Sequence, residues 1–204
     1  MQFLLSISIL LFLFISPILI SYAAAARNQD APQGLVRSSC IHASYPNLCL
    51  RTLSSYVGPA NTPKDLAQAA VKVSLSRARR VSKFLTNQQG SRSGSGGKTR
   101  QRVALSDCVE QITDSVDELS NTLDELQHLR VETFRFQLSN AETWASAALT
   151  YDDTCLDGFD FDGINGNLKA DVKRKITNVA RVTSNALYMI NRLDESRGRP
   201  RLKP

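Results

Sequence analysis

The feature that most constrains the fold is an apolar seam in the middle of the chain. Seven aliphatic residues there follow one another at alternating intervals of four and three: Leu105, Val109, Ile112, Val116, Leu119, Leu123 and Leu126. This spacing places all seven side chains on one face of an α-helix, as in helices that pack in a bundle. The segment therefore predicts a long helix that buries one face against other helices.

Three other segments show a helical pattern. One follows Thr62, a suitable N-cap, with Asp65 in the expected first turn. Its apolar face is interrupted at Arg77. A second segment has Ser139 and Glu142 in the positions of a capping box, which predicts that this helix begins there. The third lies near the C-terminal end and again keeps its apolar residues on one face.

Two stretches of the chain interrupt these helices. Residues 90–98 (GSRSGSGGK) are predicted to form a flexible loop, because each glycine costs a helix about 1 kcal/mol. Residues 157–166 (DGFDFDGING) also break the helical pattern. No strand-like alternation competes with the helices. The sequence therefore predicts an all-α protein: an up-down-up-down four-helix bundle with a compact N-terminal piece at residues 38–56.

The N-terminal segment has the composition of a secretory signal peptide. The first twenty-six residues carry no charged side chain, and an apolar run is followed by small residues. We assign residues 1–25 to this peptide, with cleavage between Ala23 and Ala26. A transmembrane anchor is the alternative, but Pro17 and the small-residue tail favour cleavage. We expect the folded domain at residues 36–194 and a basic disordered tail at residues 195–204.

The four cysteines are expected to form two disulfides, because secretion places them in an oxidising environment. Four cysteines allow three connectivities. Cys40 and Cys49 bracket a short segment that contains a proline, which favours their pairing and leaves Cys108 for Cys155. In the chain-entropy model the short loop contributes about 2.7 kcal/mol and the long loop about 4 kcal/mol.

Metal binding and catalysis find little support in the sequence. Asp160, Asp162 and Asp171 partly follow the spacing of a calcium loop. However, Ile164 and Asn165 stand where such a loop needs an oxygen ligand and a glycine. The two histidines lack metal-ligand spacing, and no common catalytic motif is present. We expect no metal, no cofactor, and no enzymatic activity.

Charge patterns point to two kinds of partner. The net charge of +6 suggests attraction to polyanions. For a secreted protein, an anionic polysaccharide or glycan fits better than a nucleic acid, and we expect no stable membrane association. Basic residues on the first long helix form the candidate cluster for this interaction, although a solvated helix face is the alternative: Arg77, Arg79, Arg80 and Lys83.

A second pattern is acidic. Glu110, Asp114 and Asp117 share one face of the seam helix, nearly opposite the seam. Thr154 and Asp157 flank the last cysteine, which the expected disulfide brings to the seam helix. The alternative interpretation is an ordinary solvated face. Displayed on two bridged helices, such a patch suits a basic protein partner.

Four motifs carry a family resemblance: CIHASYPNLC, ALSDCVEQITDSVDEL, TWASAALTYDDTCLDGF and VARVTSNALYMI. On these motifs the chain after its signal peptide resembles the plant invertase and pectin methylesterase inhibitor domain. The resemblance implies a four-helix bundle with an N-terminal helical hairpin and disulfides Cys40–Cys49 and Cys108–Cys155. It also implies action in the plant cell wall through a stoichiometric complex with a carbohydrate-active enzyme.

The resemblance further implies which residues contact the target. In the pectin methylesterase inhibitors, the second and third helices of the bundle cover the substrate cleft of the enzyme. The matching positions keep their residue types here: Glu110, Asp114, Asp117, Thr154 and Asp157. Ser115 departs from the pattern, since an aromatic residue is often found there, and the expected contact energy at that position is in doubt. The same domain also forms the pro-region of pectin methylesterases, but this chain ends soon after the fourth helix and is expected to be free-standing.

These observations predict a secreted inhibitor of pectin methylesterase in the apoplast, which occludes the pectin-binding cleft. One alternative keeps the fold and changes the target to a cell-wall or vacuolar acid invertase. Another changes the class to a polysaccharide-binding or signalling protein of the cell wall.

Overall fold

The computed structural model describes residues 33–56, 58, 60–91, 99–160 and 163–195. Within these ranges all regular secondary structure is helical, which confirms the predicted all-α class. Residues 33–40 form α1, and five longer elements follow: α2 (Pro46–Ser54), α3 (Pro63–Ser91), α4 (Thr99–Gln127), α5 (Phe134–Gly158) and α6 (Gly166–Glu195). The predicted signal peptide, nearly all of the predicted tail and most of the 90–98 loop lie outside the described residues.

The four long helices form the predicted bundle. Each packs against the next along the chain, and α6 closes the ring against α3. Gln68, near the start of α3, donates to the Leu126 carbonyl near the end of α4 (2.8 Å), so these two helices are antiparallel. Short connections turn the chain back between α4 and α5 and between α5 and α6. The pair α4 and α5 therefore lies on the opposite side of the bundle from the pair α3 and α6.

Two clusters of buried apolar side chains fill the bundle, one toward each end. The seam on α4 supplies both of them: Ile112, Leu119 and Leu126 have no exposed surface. Leu126 belongs to the cluster at the end where α1 and α2 pack, and Ile112 and Leu119 belong to the other cluster. The predicted seam is thus the face that α4 buries.

The N-terminal piece is the helical hairpin that the family resemblance implied. The Cys40–Cys49 disulfide joins α1 to α2, with a Cα–Cα distance of 5.5 Å. Buried Asn185 of α6 holds the connection between them. Its side-chain oxygen accepts from the Tyr45 backbone N–H (2.8 Å), and its amide nitrogen donates to the Tyr45 carbonyl (3.1 Å). The hairpin is therefore fixed to the bundle by a disulfide and a paired hydrogen bond.

One predicted helix start is confirmed and one is wrong. The Thr62 N–H donates to the Asp65 carboxylate, and the Asp65 N–H donates to the Thr62 hydroxyl, each at 3.1 Å. In contrast, α5 does not begin at the capping box predicted at Ser139, but five residues earlier, at Phe134. The reason is burial, since Leu138 is only 2% exposed and Phe134 packs against the same cluster. Extending α5 by more than a turn buries these side chains.

Among the described helices, none has both the length and the apolarity that crossing a membrane requires.

Candidate partner-binding face

The second predicted disulfide fixes α4 to α5. The Cys108–Cys155 bond brings the two Cα atoms to 4.5 Å, and both cysteines are buried among apolar side chains. All four cysteines are therefore oxidised, as predicted. We call this end of the bundle the bridged end. Because a covalent bond sets the register of α4 and α5 there, residues on the outer sides of these two helices form one surface of fixed geometry.

The predicted acidic residues lie on that surface. Glu110 and Asp117 are exposed and Asp114 is half-exposed, on the side of α4 that faces away from the core. Thr154 and Asp157 are exposed on α5. Together these five residues define what we call the acidic face. Glu110 lies with Thr154 and Asp157 near the bridged end, whereas Asp114 and Asp117 lie about 6 and 10 Å farther along α4, at about 1.5 Å per residue.

The local structure of α5 favours a cationic or donating partner at the bridged end. The Thr154 hydroxyl donates to the Thr150 carbonyl (2.8 Å), so its oxygen remains able to accept a hydrogen bond from a partner. Asp157 lies in the last turn of α5, where the negative end of the helix dipole adds to its charge. Both features present acceptors rather than donors.

Half-exposed Glu118 lies beside the acidic face, and the sequence-based reasoning missed it. The pKa of its carboxyl is raised, first by partial burial and then by the neighbouring charges of Asp114 and Asp117. One of its carboxylate oxygens is buried without a hydrogen-bond partner among the described residues. Its position four residues after Asp114 was a signal for this crowding, because such residues are neighbours on a helix. Three interacting carboxyls therefore lie together at the end of the acidic face that is farther from the Cys108–Cys155 disulfide.

Ser115 does not lie on the acidic face. Its side chain is fully buried and faces the core beside Asp152 of α5. The sequence-based doubt about a lost partner contact at Ser115 therefore does not apply, because the serine points away from any partner. This correction follows from the rotation of α4, which turns Ser115 inward and its two acidic neighbours, Asp114 and Asp117, outward.

Asp152 is the least expected residue of the site. It has no exposed surface, and neither carboxylate oxygen makes a hydrogen bond of acceptable geometry with a described residue. Burial raises its pKa to about 8, the nearby Ser115 hydroxyl opposes this shift, and the charge of Asp153 adds to it. Asp152 thus lies behind the acidic face as a neutral acid at mildly acidic pH, and contributes no charge to the surface there.

The acidic face belongs to a larger separation of charge. Helices α4 and α5 carry three Lys or Arg and eleven Asp or Glu residues. Helices α3 and α6 carry twelve Lys or Arg and four Asp or Glu. Because these pairs lie on opposite sides of the ring, one side of the bundle is acidic and the other basic. In the described part of the chain, no group of three His, Cys, Asp or Glu side chains is arranged to hold a metal ion.

The fold and its surface define a class of protein: a helical bundle, closed by two disulfides, that displays a fixed charged face. Residues 34–189 match the family described as plant invertase/pectin methylesterase inhibitor. The chain belongs to this family.

Individual relatives agree with this assignment. Pectinesterase inhibitor 3 of Arabidopsis thaliana is 54% identical over 178 residues, covering 84% of each protein. The 21 kDa protein of Daucus carota is 40% identical over 191 residues, covering 92% of this chain and 95% of the relative. A crystal structure of mutant form A of a pectin methylesterase inhibitor from Arabidopsis has a TM-score of 0.59 at 22% identity, covering 74% of this chain and 92% of the other. At that identity the structural likeness supports the fold alone.

Proposed function

We propose that this protein is a non-catalytic inhibitor of pectin methylesterase that binds the enzyme through its acidic face. The observation that carries the proposal is the fixed display of this face on two helices joined by the Cys108–Cys155 disulfide. Relatives that carry the name pectinesterase inhibitor support the choice of target. The same residues suit a basic surface on the partner, because opposite potentials across an interface favour association.

The proposed mechanism is steric occlusion. The bundle docks across the cleft that holds pectin and prevents the polymer from reaching the catalytic groups of the enzyme. Rigidity is important here, because a surface that is already ordered loses little conformational entropy on binding. The disulfide and the two buried clusters hold the acidic face in this way.

We also propose that the protein acts in the apoplast. The apolar residues 1–25 support this as a signal peptide, the folded domain occupies residues 36–194, and residues 195–204 form a basic tail. N-terminal sequencing of the secreted protein locates the cleavage site and tests the first of these boundaries.

The central test reverses charge on the acidic face. The variant Asp114→Lys/Asp117→Lys places two like charges against a basic partner, so we expect the Kd for pectin methylesterase to rise at least about 100-fold. Inhibition titrations measure this value, and circular dichroism checks the fold. Full inhibition by the double variant would remove the acidic-face proposal.

A matched control keeps the same change in net charge. In the variant Glu132→Lys/Asp171→Lys, both substituted residues are exposed but lie off the acidic face, in the α4–α5 connection and on α6. We expect this variant to inhibit nearly as well as the natural protein. Parallel titration against an acid invertase examines the other target named by the family, and inhibition of invertase alone would replace the proposed target.

A further inference from the structure

The basic side of the bundle contains two grooves that share side chains. Arg51, Lys72, Arg77 and Arg80 line a groove of about 430 Å³ between α2 and α3, together with Tyr56. Arg77 and Arg80 also line a second groove, of about 390 Å³, between α3 and α6. Arg174 and Lys175 of α6 complete this second groove. Six basic side chains from three helices therefore converge on one side of the bundle.

Two of these side chains are held in place. The Arg77 guanidinium donates to the side-chain oxygen of Asn178 on α6, and the Lys175 ammonium lies 4.5 Å from the centre of the Phe84 ring. Arg77 is half-buried, and its pKa is lowered by burial and by the charges of Arg80 and Arg51. The interruption of the α3 apolar face that the sequence showed at Arg77 thus places an ordered cation between the grooves.

Most of these cations have no compensating carboxylate in the described part of the chain. Among the residues that the structure describes, no Asp or Glu forms an ion pair with Arg51, Lys72, Arg77 or Arg80. Considering described carboxylates only, Arg174 is the one member of the six with an ion pair, which it forms with Asp171 on its own helix. Like charges that crowd together without a counterion repel one another, and an anionic ligand relieves that repulsion.

Two residues of the four-residue cluster predicted from sequence line the grooves, and the other two do not. Arg77 and Arg80 line the grooves, but the Arg79 guanidinium reaches toward α4, where it lies 3.5 Å from the Ser120 hydroxyl. Lys83 is exposed one turn beyond them and lines neither groove. The residues that complete the grooves come from α2 and α6, which sequence spacing alone does not bring to α3.

The size of the basic surface sets the kind of ligand. From Lys72 to Arg80 the cations extend about 12 Å along α3, at about 1.5 Å per residue. A single small anion does not reach across this distance, whereas a chain with repeated charges does. Arginine pairs with carboxylates through two parallel hydrogen bonds, which suits a polymer that carries a carboxylate on each unit.

We propose that these two grooves bind a linear acidic polysaccharide with a carboxylate on each sugar, such as de-esterified pectin. The choice of polymer rests on the proposed function, because hydrolysis of each pectin methyl ester leaves a carboxylate on the chain and releases methanol. The grooves lie on α2, α3 and α6, and the acidic face lies on α4 and α5. The polysaccharide and the enzyme therefore occupy opposite sides of the bundle, and one does not displace the other.

The test compares three probes: an oligogalacturonate, its methyl ester of the same length, and single-stranded DNA of equal charge. Binding is measured by calorimetry at about 0.15 M ionic strength, where the Debye length is about 8 Å. We expect the oligogalacturonate to bind and its uncharged ester to bind at least about tenfold more weakly, because the ester has no ionised carboxylate to pair with the guanidinium groups. Phosphates also pair with guanidinium groups, so the DNA is the control for binding of any polyanion. Equal binding of DNA, or no binding of the oligogalacturonate, would overturn the proposal.

Two variants with equal net charge separate the grooves from bulk electrostatics. Lys72→Gln/Arg80→Gln removes two groove cations, and Arg130→Gln/Arg135→Gln removes two exposed cations near the α4–α5 connection. The groove variant should lose at least about tenfold in affinity for the oligogalacturonate, and the control should lose little. Equal losses in both would show that only net charge matters and would reject the grooves.

The same variants distinguish a failure of the groove proposal from a failure of the proposed function. The groove variant should inhibit pectin methylesterase as well as the natural protein, because its substitutions are remote from the acidic face. A protein that binds oligogalacturonate but inhibits no pectin methylesterase would refute the proposed function and leave the grooves. A protein that inhibits the enzyme but does not bind the oligogalacturonate would refute the grooves alone.

Discussion

At the scale of single residues, Asp152 is the side chain whose state depends most on folding. Its pKa is about 8 in the folded protein, against an ordinary value of 3.8. Between these two values the folded protein holds a proton that the unfolded chain releases. Stability from this group is therefore fully present below about pH 4 and is lost as the pH rises toward 8.

We therefore expect Asp152→Asn to flatten the dependence of stability on pH. Each unit of pKa difference corresponds to about 1.4 kcal/mol, so the natural protein should lose several kcal/mol between pH 4 and pH 8 that the variant keeps. Urea unfolding at pH 5 and pH 8 measures this difference. Asp107→Asn, at an exposed position of α4 that does not contribute to the Asp152 shift, is the control and should keep the natural slope. An identical slope in Asp152→Asn would contradict the assignment.

Asp152 also shows what the sequence could not predict at this scale. The buried stripe on α5 contains Ala141, Ala145 and Ala148, and helical spacing continues it to position 152. A carboxylate at position 152 predicts that the apolar face of α5 ends before it, because buried acids are rare. Only packing shows that α5 keeps its orientation and carries the acid into the core. The exposed acids on α4 were predictable, since the seam opposite them fixes which side is buried.

At the scale of helices, the two disulfides should differ in their contribution to stability. The Cys108–Cys155 bond closes a separation of 47 residues, and Cys40–Cys49 closes one of 9 residues. In the chain-entropy model, Cys108→Ala/Cys155→Ala should lower the free energy of unfolding by about 4 kcal/mol, and Cys40→Ala/Cys49→Ala by about 2.7 kcal/mol. Urea unfolding of both double variants gives the comparison. A larger loss from the short loop would show that packing of the hairpin, not loop closure, dominates.

The attachment of the N-terminal hairpin should depend on Asn185. Its side chain satisfies both backbone groups of Tyr45. Asn185→Ala leaves the Tyr45 N–H without its partner, whereas the Tyr45 carbonyl still accepts from the Cys49 N–H (2.9 Å). We expect this loss to cost about 1–3 kcal/mol. Hydrogen exchange should increase first in residues 41–54, where the hairpin detaches. Asn191→Ala, at an exposed position of α6, provides the control, and equal exchange in the two variants would count against this role.

The helices themselves could be predicted largely from local signals, but not their exact starts. The reciprocal bonds of Thr62 and Asp65 need only residues three apart, so their pattern is visible in the sequence. The start of α5 depends instead on Phe134 and Leu138 packing against other helices. Partners distant in sequence decided that boundary, and they overrode a local capping signal at Ser139.

At the scale of the whole molecule, the charges are separated between two sides of the bundle. The net charge of +6 can be counted from the sequence, and so can the charge of each helix. The sequence does not show which helices lie side by side, because this depends on how the four helices close into a ring. Once α3 packs against α6, the basic helices share one side and the acidic helices the other. A net basic protein can therefore present an acidic surface to its partner.

This separation predicts that salt slows association with the proposed target. Electrostatic attraction steers a basic enzyme surface toward the acidic face, so the association rate constant should fall about tenfold or more between low and high ionic strength. Stopped-flow measurements at about 20 mM and about 500 mM salt test this expectation. The variant Asp114→Lys/Asp117→Lys should show the opposite or no dependence. A rate that does not vary with salt for the natural protein would argue against steering by the acidic face.

The two grooves that share Arg77 and Arg80 lie on the side of the bundle opposite the acidic face. This position has a consequence for how the esterase is regulated in the cell wall. If the grooves retain de-esterified polymer, the inhibitor accumulates where the esterase has already worked. Each de-esterified stretch of pectin then binds the inhibitor of the esterase that produced it. De-esterification of neighbouring pectin is thereby slowed. A bundle with its charges mixed evenly around the ring would lack this negative feedback.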